Sequence, residues 1–170
     1  MAKLKGKRGF RFIKELGGAV NRRTVSFGAE WLVNRSLVPG RVLDYGCGFG
    51  FDADHFDWEG FDPYYRQREP EGKFDTIICN HVLNMLTRSS RQQAIDRIQD
   101  LLIETGVAWL IVPRNIPRMG KLAVRKRIQN FVQLDLASVY ADEKLEIYRI
   151  SSSAGFKDQT EEIEQRLSRH

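Results

Sequence analysis

The stretch R-V-L-D-Y-G-C-G-F-G-F, residues 41–51, decides the fold of this chain. Two apolar residues and an acid, Asp44, are followed at once by glycines at positions 46, 48 and 50. A short apolar run is typical of a buried strand in a parallel sheet, and glycine lets the backbone turn sharply and approach a ligand closely. The stretch therefore predicts a strand that ends in a glycine-rich turn, with the N-terminus of a helix behind it. A nucleotide-type ligand fits such a turn.

The spacing after the turn separates two classes of nucleotide ligand. The dinucleotide fingerprint is G-x-G-x-x-G, with an acid about 20 residues further on. Here the glycines follow G-x-G-x-G, and Asp62 comes only 12 positions after Gly50. The spacing therefore argues against a dinucleotide.

The motif D-Y-G-C-G-F-G resembles the first motif of the class I S-adenosylmethionine (SAM) dependent methyltransferases, an apolar strand followed by D/E-x-G-x-G-x-G. Three later segments follow in the order typical of that family: G-F-D at 60–62, F-D-T-I-I-C-N at 74–80, and the apolar run at 106–113. The compressed glycine segment and N-H-V-L-N-M-L at 80–86 also resemble, more loosely, bacterial methyltransferase-like domains associated with DNA phosphorothioation gene clusters.

The resemblance implies an α/β, Rossmann-like class I methyltransferase fold, with a mostly parallel sheet and a C-terminal antiparallel hairpin at its edge. Only about two helical turns fit between the glycine turn and the second strand, which we expect at 58–61. The 12 residues between Asp62 and Asp75 are polar and contain two prolines and a glycine, so they are typical of a loop. We therefore expect the third strand of the family to be reduced or missing.

The chain of 170 residues suits a single domain with flanking segments. We expect a basic N-terminal arm at 1–23, the methyltransferase domain at 24–151, and a polar C-terminal tail or short helix at 152–170. Inside the domain we predict four further features from capping residues and periodicity. They are a helix capped by Ser26, a helix that is capped by Ser90 and ends at Gly106, a basic helix at 119–129, and two final strands at 130–136 and 144–151.

The resemblance implies cofactor-binding residues at the carboxyl ends of the strands, where ligands of open α/β sheets gather. These residues are Asp44, Gly46, Cys47, Gly48, Gly50, Asp62, Pro63, Tyr64 and Asn80. Asp62 suits the two ribose hydroxyls of SAM, since a carboxylate can accept several hydrogen bonds; its alternative role is to form a turn in Asp-Pro. Tyr64 or Tyr65 could stack on the adenine.

Asn80 and His81 are the candidate catalytic residues, because in the family this strand end lies beside the transferable methyl group. Asn80 could orient an acceptor through its amide, and His81 could take a proton from it. The alternative for His81 is a polar residue that merely opens the next helix. Arg114 and Asn115, which leave the sheet at the same end, are candidate substrate residues or part of an ordinary surface loop.

The net charge of +5 comes largely from two basic segments, one between Lys3 and Arg23 and one between Arg114 and Arg127. Both could bind an anionic partner such as nucleic acid, or they could be ordinary solvated surface. No apolar run approaches the ~20 residues that cross a bilayer, so we expect no membrane association. Two cysteines imply no disulfide framework and favour the reducing cytoplasm. The histidines lie apart from other ligand residues, so we expect no metal site, and the oligomeric state stays open.

Together these features predict a SAM-dependent methyltransferase whose acceptor is unidentified, with nucleic acid as one candidate. The alternatives are a methyltransferase of small molecules, in which the basic segments are incidental, and a non-catalytic binding module that keeps the fold without turnover.

Overall fold

A computed structural model of the chain describes residues 18–123 and 127–152. Most of the expected N-terminal arm, three residues of the second basic segment, and all but the first residue of the expected C-terminal tail lie outside these described residues. The predictions made for those parts are therefore not taken further.

The described part of the chain contains three α-helices, one 3₁₀ helix and eight strands, and all the helices precede β4. The helices are α1 (Phe27–Val33), α2 (Phe51–Phe56), the 3₁₀ helix (Leu83–Met85) and α3 (Arg88–Leu101). The strands are β1 (Val42–Tyr45), β2 (Glu59–Phe61), β3 (Phe74–Asn80), β4 (Leu102–Pro113), β5 (Lys121–Ala123), β6 (Arg127–Gln129), β7 (Ala137–Ala141) and β8 (Leu145–Ser151).

Six strands form the central sheet in the order β2-β1-β3-β4-β8-β7. The first four run parallel to one another, whereas β8 pairs antiparallel with both β4 and β7. This is the predicted mostly parallel sheet with an antiparallel hairpin at its C-terminal edge. No strand lies beyond β2 in the described chain, and the segment after Asp62 makes only an isolated bridge from Asp62 to Arg66. The prediction that the third strand is reduced or missing is confirmed.

The sheet buries apolar side chains on both of its faces. Helix α3 covers one face with Ala94, Ile95, Ile98 and Leu101, all of which belong to the larger core cluster. Helix α1 covers the other face with Leu32, beside Ile111 and Ile147. Burying a side chain of this size stabilises the fold by roughly 1.5–3 kcal/mol. Because both faces are covered, ligands can reach the sheet only at its ends.

The boundaries of α3 differ from the prediction at both ends. The hydroxyl oxygen of Thr87, not Ser90, caps the helix, and it accepts a hydrogen bond from the backbone N–H of Ser90 at 3.3 Å. The helix ends at Leu101, and Gly106 lies inside β4. A Cβ at Gly106 would lie 3.0 Å from the carbonyl oxygen of Phe74, so this glycine serves close strand packing rather than helix termination.

The C-terminal part of the sheet also differs from the prediction. Residues 119–129, predicted as a helix, contain the antiparallel pair β5 and β6, which follows a turn at Gly120 with φ +78°. Residues 130–136, predicted as a strand, are irregular, and the edge strand β7 begins only at Ala137. The backbone N–H of Asn130 donates to the carbonyl of Asn84 at 2.7 Å, so that segment bonds to the 3₁₀ helix instead of the sheet.

We predict that Thr87→Ala lowers the free energy of unfolding by about 1 kcal/mol, because it removes the side-chain acceptor of the α3 N-cap. The measurement is urea denaturation followed by circular dichroism. Ser90→Ala is the control at the position that the sequence pattern favoured, and it keeps the cap acceptor. A larger loss for Ser90→Ala than for Thr87→Ala would contradict the observed cap.

Candidate functional site

The glycine loop, residues 46–50, joins β1 to α2 and bends back over the end of β2. The backbone N–H groups of Gly46 and Cys47 both donate to the carbonyl of Phe61, at 2.7 and 3.0 Å. Gly46 has φ +83°, and a Cβ there would lie 2.3 Å from Cγ2 of Val82. Only glycine meets both conditions without strain, so the sequence pattern reports a real backbone requirement.

A cavity of about 320 Å³ opens beside this loop, at the carboxyl ends of the parallel strands. Its walls come from the glycine loop, from the end of β3 with the following 3₁₀ helix, from the segment after β4, and from residues 18–22, which we call the strap. The lining residues are Gly18, Ala19, Val20, Arg22, Gly46, Cys47, Gly48, Phe49, Phe51, Asp62, Asn80, His81, Val82, Asn84, Met85, Pro113, Asn115 and Gln129. This position agrees with the general rule for ligands of open α/β sheets.

Asp62, at the end of β2, is buried and accepts three backbone hydrogen bonds. Its Oδ2 accepts from the N–H of Gly48 at 3.0 Å, and its Oδ1 accepts from the N–H groups of Tyr64 and Tyr65 at 2.8 and 3.1 Å. A carboxylate offers about four acceptor positions. Asp62 therefore holds the glycine loop against the turn after β2 and keeps one position for a donor in the cavity.

Asp44, at the end of β1, is almost fully buried and is not among the residues that line the cavity. Loss of hydration on burial raises its pKa to about 7, and the negative charge of Asp52 adds to the effect, whereas Arg22 and Arg66 oppose it. Within the described chain, no hydrogen bond to this carboxyl is found. Burial therefore shifts this carboxyl toward its protonated, uncharged form.

A chain of polar contacts joins the strap to the end of β3. Arg22 forms an ion pair with the buried Asp52 at 3.0 Å, and Asp52 accepts a hydrogen bond from the N–H of Ser26 at 2.9 Å. The hydroxyl oxygen of Ser26 caps α1, as predicted, and also accepts from Nδ2 of Asn80 at 2.7 Å. The amide of Asn80 is thus held in one orientation at the cavity wall.

His81 follows Asn80 with a left-handed backbone, φ +57°, which is uncommon for a residue with a side chain. Its N–H donates to the carbonyl of Ile111 at 2.9 Å, so β4 holds this conformation. The pKa of His81 lies below its ordinary value because protein atoms displace water from the ring and Arg22 is positive, while Asp52 acts in the opposite direction. The imidazole is therefore neutral at pH 7 and able to accept a proton.

The cavity brings together seven of the residues predicted from the sequence: Gly46, Cys47, Gly48, Asp62, Asn80, His81 and Asn115. Asp44, Gly50, Pro63, Tyr64 and Arg114 are not among the lining residues. Gly50 is the N-cap of α2, and Arg114 lies 3.9 Å from Glu146. Burial raises the pKa of the Cys47 thiol, which is therefore uncharged at neutral pH.

The two candidate adenine-stacking tyrosines contact other parts of the protein. Tyr64 packs against the larger core cluster, and the ring of Tyr65 lies 4.4 Å from that of Phe49. Phe49 itself lines the cavity and is 46% exposed, so it is the aromatic face that this loop offers to a ligand. Stacking by Tyr64 or Tyr65 stays a prediction.

Asn84 is a cavity residue that the sequence reasoning did not select. It lies in the 3₁₀ helix, is 2% exposed, and its Oδ1 accepts no hydrogen bond from the described residues. Buried polar atoms without a partner are uncommon in folded proteins. The sequence does contain a sign of this residue's role, because Asn84 is the single polar residue in the apolar run V-L-N-M-L at 82–86.

Asp44→Asn is predicted to change the pH dependence of stability in the unliganded protein. The pKa of this carboxyl is higher in the folded state than its ordinary value of 3.8, so the unfolded state ionises first. Stability is therefore lost as pH rises from about 4 to about 7, by a few kcal/mol at most, and stays level above that range. Urea denaturation between pH 4 and pH 8 should show that the variant lacks this decline.

The control is Asp57→Asn, the same chemical change at an exposed position just after α2. It should keep the pH profile of the unaltered protein. A decline of equal size in Asp44→Asn would show that another group causes it.

The described chain contains neither a cluster of metal ligands nor a membrane-spanning helix. Within residues 18–123 and 127–152, no group of three His, Cys, Asp or Glu side chains is placed to hold a metal ion. In the same part of the chain, no helix has the length and apolar character needed to cross a bilayer.

Comparison with solved structures finds proteins of the same architecture. The 1,6-didemethyltoxoflavin-N1-methyltransferase of Burkholderia thailandensis, solved with S-adenosylhomocysteine, is 17% identical, with a TM-score of 0.51 over 71% of this chain and 74% of that one. The PH0226 protein of Pyrococcus horikoshii is 12% identical, with a TM-score of 0.52 over 73% and 87%. The magnesium protoporphyrin IX methyltransferase of Synechocystis, solved with SAM, is 17% identical, with a TM-score of 0.47 over 74% and 76%. At these identities the likeness concerns the fold.

Among the curated proteins, none matches this sequence. A family model described as a methyltransferase domain matches residues 18–159, which is most of the chain and includes every element that forms the cavity. The glycine loop, the acids at the ends of β1 and β2, and the sheet order all agree with that match. The chain therefore belongs to the methyltransferase-domain family and is a SAM-dependent methyltransferase with a Rossmann-like fold.

Proposed function

We propose that this methyltransferase transfers the methyl group of SAM to a nitrogen or oxygen of a polar acceptor that enters the cavity beside Asn80, His81 and Asn84. The observation that carries the proposal is the unpartnered Oδ1 of Asn84 in the cavity wall. An amide oxygen can only accept hydrogen bonds, so its complement is a ligand with an N–H or O–H group.

The residues around the glycine loop fit SAM. The loop brings its backbone to the cavity without side chains at positions 46 and 48, Asp62 keeps an acceptor position suited to a ribose hydroxyl, and Phe49 offers an aromatic face. SAM, when bound, supplies an electrophilic methyl group on a positively charged sulfur. The nearby charges of Asp62 and of the Asp52 and Arg22 pair leave the site without a large excess of either sign.

A hydrogen bond from a ligand donor to Asn84 would be energetically favourable. Leaving a buried acceptor without a partner costs about 1–3 kcal/mol, and a ligand N–H or O–H in the cavity would recover that hydrogen bond. A neighbouring amide, Asn80, is fixed by Ser26 through its nitrogen. The two side chains can therefore orient an acceptor without any rearrangement of the walls.

His81 can receive the proton that a neutral N–H or O–H acceptor loses on methylation. It lines the same cavity as Asn84, and its lowered pKa keeps the ring in the neutral form that accepts a proton. The rest of the protein's contribution is alignment, which can lower a barrier by on the order of 7 to 11 kcal/mol.

A free small molecule and a group on a nucleic acid can both present such an N–H or O–H. The strap lines part of the cavity, which favours a small acceptor, and the 1,6-didemethyltoxoflavin-N1-methyltransferase with a similar fold was solved with 1,6-didemethyltoxoflavin bound. The basic residues of β5 and β6, beside the cavity, favour nucleic acid. The resemblance to phosphorothioation-associated domains stays a prediction.

Asp62→Asn is expected to weaken S-adenosylhomocysteine binding by about tenfold or more, because the amide nitrogen cannot accept the bonds that the carboxylate accepts. The free energy of unfolding should also fall, by about 1–3 kcal/mol. Isothermal titration calorimetry and urea denaturation measure the two effects, with Asp57→Asn as the matched control. Unchanged affinity in a folded Asp62→Asn protein would remove Asp62 from the cofactor site.

Asn84→Leu tests the acceptor role directly. The variant should bind S-adenosylhomocysteine within about twofold of the unaltered protein and be no less stable, because leucine removes an unsatisfied polar group at similar volume. Its transfer of tritiated methyl from SAM to heterocyclic amines, phenols or nucleic acid should fall by about tenfold or more. A loss of S-adenosylhomocysteine affinity of that size would instead assign Asn84 to the cofactor and contradict the proposal.

A further inference from the structure

The strands β5 and β6, together with the turn before them, form a two-stranded ribbon at the rim of the cavity. We call residues 118–123 and 127–129 the rim hairpin. Its last residue, Gln129, lines the cavity, and the next one, Asn130, bonds to the 3₁₀ helix through its N–H and, through Nδ2, to the carbonyl of Leu86 at 3.2 Å. The ribbon is therefore anchored beside Asn84.

The rim hairpin carries positive charge without a countercharge. Arg118 and Lys121 are exposed and Arg127 is half-buried, and no described acidic residue forms an ion pair with any of the three. Arg41 and Arg66, near the glycine loop and β2, are by contrast paired with Glu59 and Asp54. The hairpin thus presents basic groups that are free to meet an anion.

Exposed apolar side chains lie among these basic residues. Met119 is 99% exposed, Leu122 73% and Ile128 61%. Leu122 and Ile128 face each other directly across the strand pair, so their side chains are neighbours on one face of the ribbon. A contiguous exposed apolar patch with a basic border is typical of a binding surface.

We propose that the rim hairpin docks nucleic acid and brings a base to the cavity, an inference that rests on the proposed methyl transfer. Arg118, Lys121 and Arg127 would neutralise phosphates, which supplies most of the affinity and fixes the position of the strand.

The exposed apolar residues of the hairpin favour contacts with the bases, because binding to phosphates alone does not require apolar side chains. Leucine, isoleucine and methionine are the side chains that wedge between stacked bases, and enzymes that modify a base must first take it out of the stack. Nucleobase edges carry N–H donors, which match the unpartnered Oδ1 of Asn84. An anionic bilayer would match the basic and apolar residues, but its headgroups lie in the plane of the membrane surface, whereas a flipped base leaves its stack and enters a pocket. Nucleic acid is therefore the partner that explains both the hairpin and the cavity.

The experiment measures fluorescence anisotropy of labelled single-stranded and double-stranded DNA and RNA oligonucleotides with the full chain at several salt concentrations. Binding should weaken steeply with salt. Lys121→Gln/Arg127→Gln should lower the affinity by about tenfold or more and reduce the salt slope by about two. Leu122→Ser/Ile128→Ser should also weaken binding, without reducing the slope.

The matched control is Arg68→Gln/Arg149→Gln, which removes the same charge from exposed positions outside the hairpin; it should change the affinity by less than about threefold. All variants should bind S-adenosylhomocysteine like the unaltered protein, which also shows that they fold.

Loss of affinity in the control equal to that in the hairpin variant would overturn the proposal. So would binding to anionic lipid vesicles with no binding to any of the four oligonucleotides. Failure of the proposed methyl transfer would appear separately, as absent S-adenosylhomocysteine binding by the unaltered protein.

Discussion

The site depends on one carboxylate that accepts three backbone N–H groups. Asp62 accepts from Gly48 through one oxygen and from Tyr64 and Tyr65 through the other, so it fixes the glycine loop relative to the end of β2. Bonds to a charged acceptor are roughly twice as strong as those between neutral groups. Without this acceptor, the glycine loop would lose the bond that joins Gly48 to Asp62, which are 14 residues apart in sequence.

The missing third strand changes how the edge of the sheet is completed. The segment after Asp62 folds back as a short turn, and Arg66 from that turn donates to the carbonyl of Phe49 and pairs with Asp54 of α2. A single arginine thus ties the turn to both the glycine loop and the helix behind it. The exposed ion pair itself adds little stability, but its geometry holds the loop where a ligand would meet it.

Two of the acids around the cavity are paired with an arginine, whereas Asp62 accepts only backbone hydrogen bonds and Asp44 accepts none from the described residues. Asp52 is paired with Arg22, and Asp54 with Arg66, while Asp44 is buried without an ionic partner of its own. Burial of such a group is costly unless it is neutralised, and here the raised pKa reflects that cost.

The sequence alone determined the features that depend on neighbouring residues. The glycine spacing, the apolar strands, the shortened segment after Asp62 and the N-cap of α1 at Ser26 are local patterns, and each appears in the structure. Tertiary structure decided the rest, because contacts between distant residues are not encoded in a window of sequence. The hydrogen bond between Asn80 and Ser26 joins residues that are 54 positions apart. The segment after Gly120 forms a two-stranded ribbon instead of the predicted helix. The unpartnered oxygen of Asn84 is visible only once the fold has buried that side chain in the cavity wall.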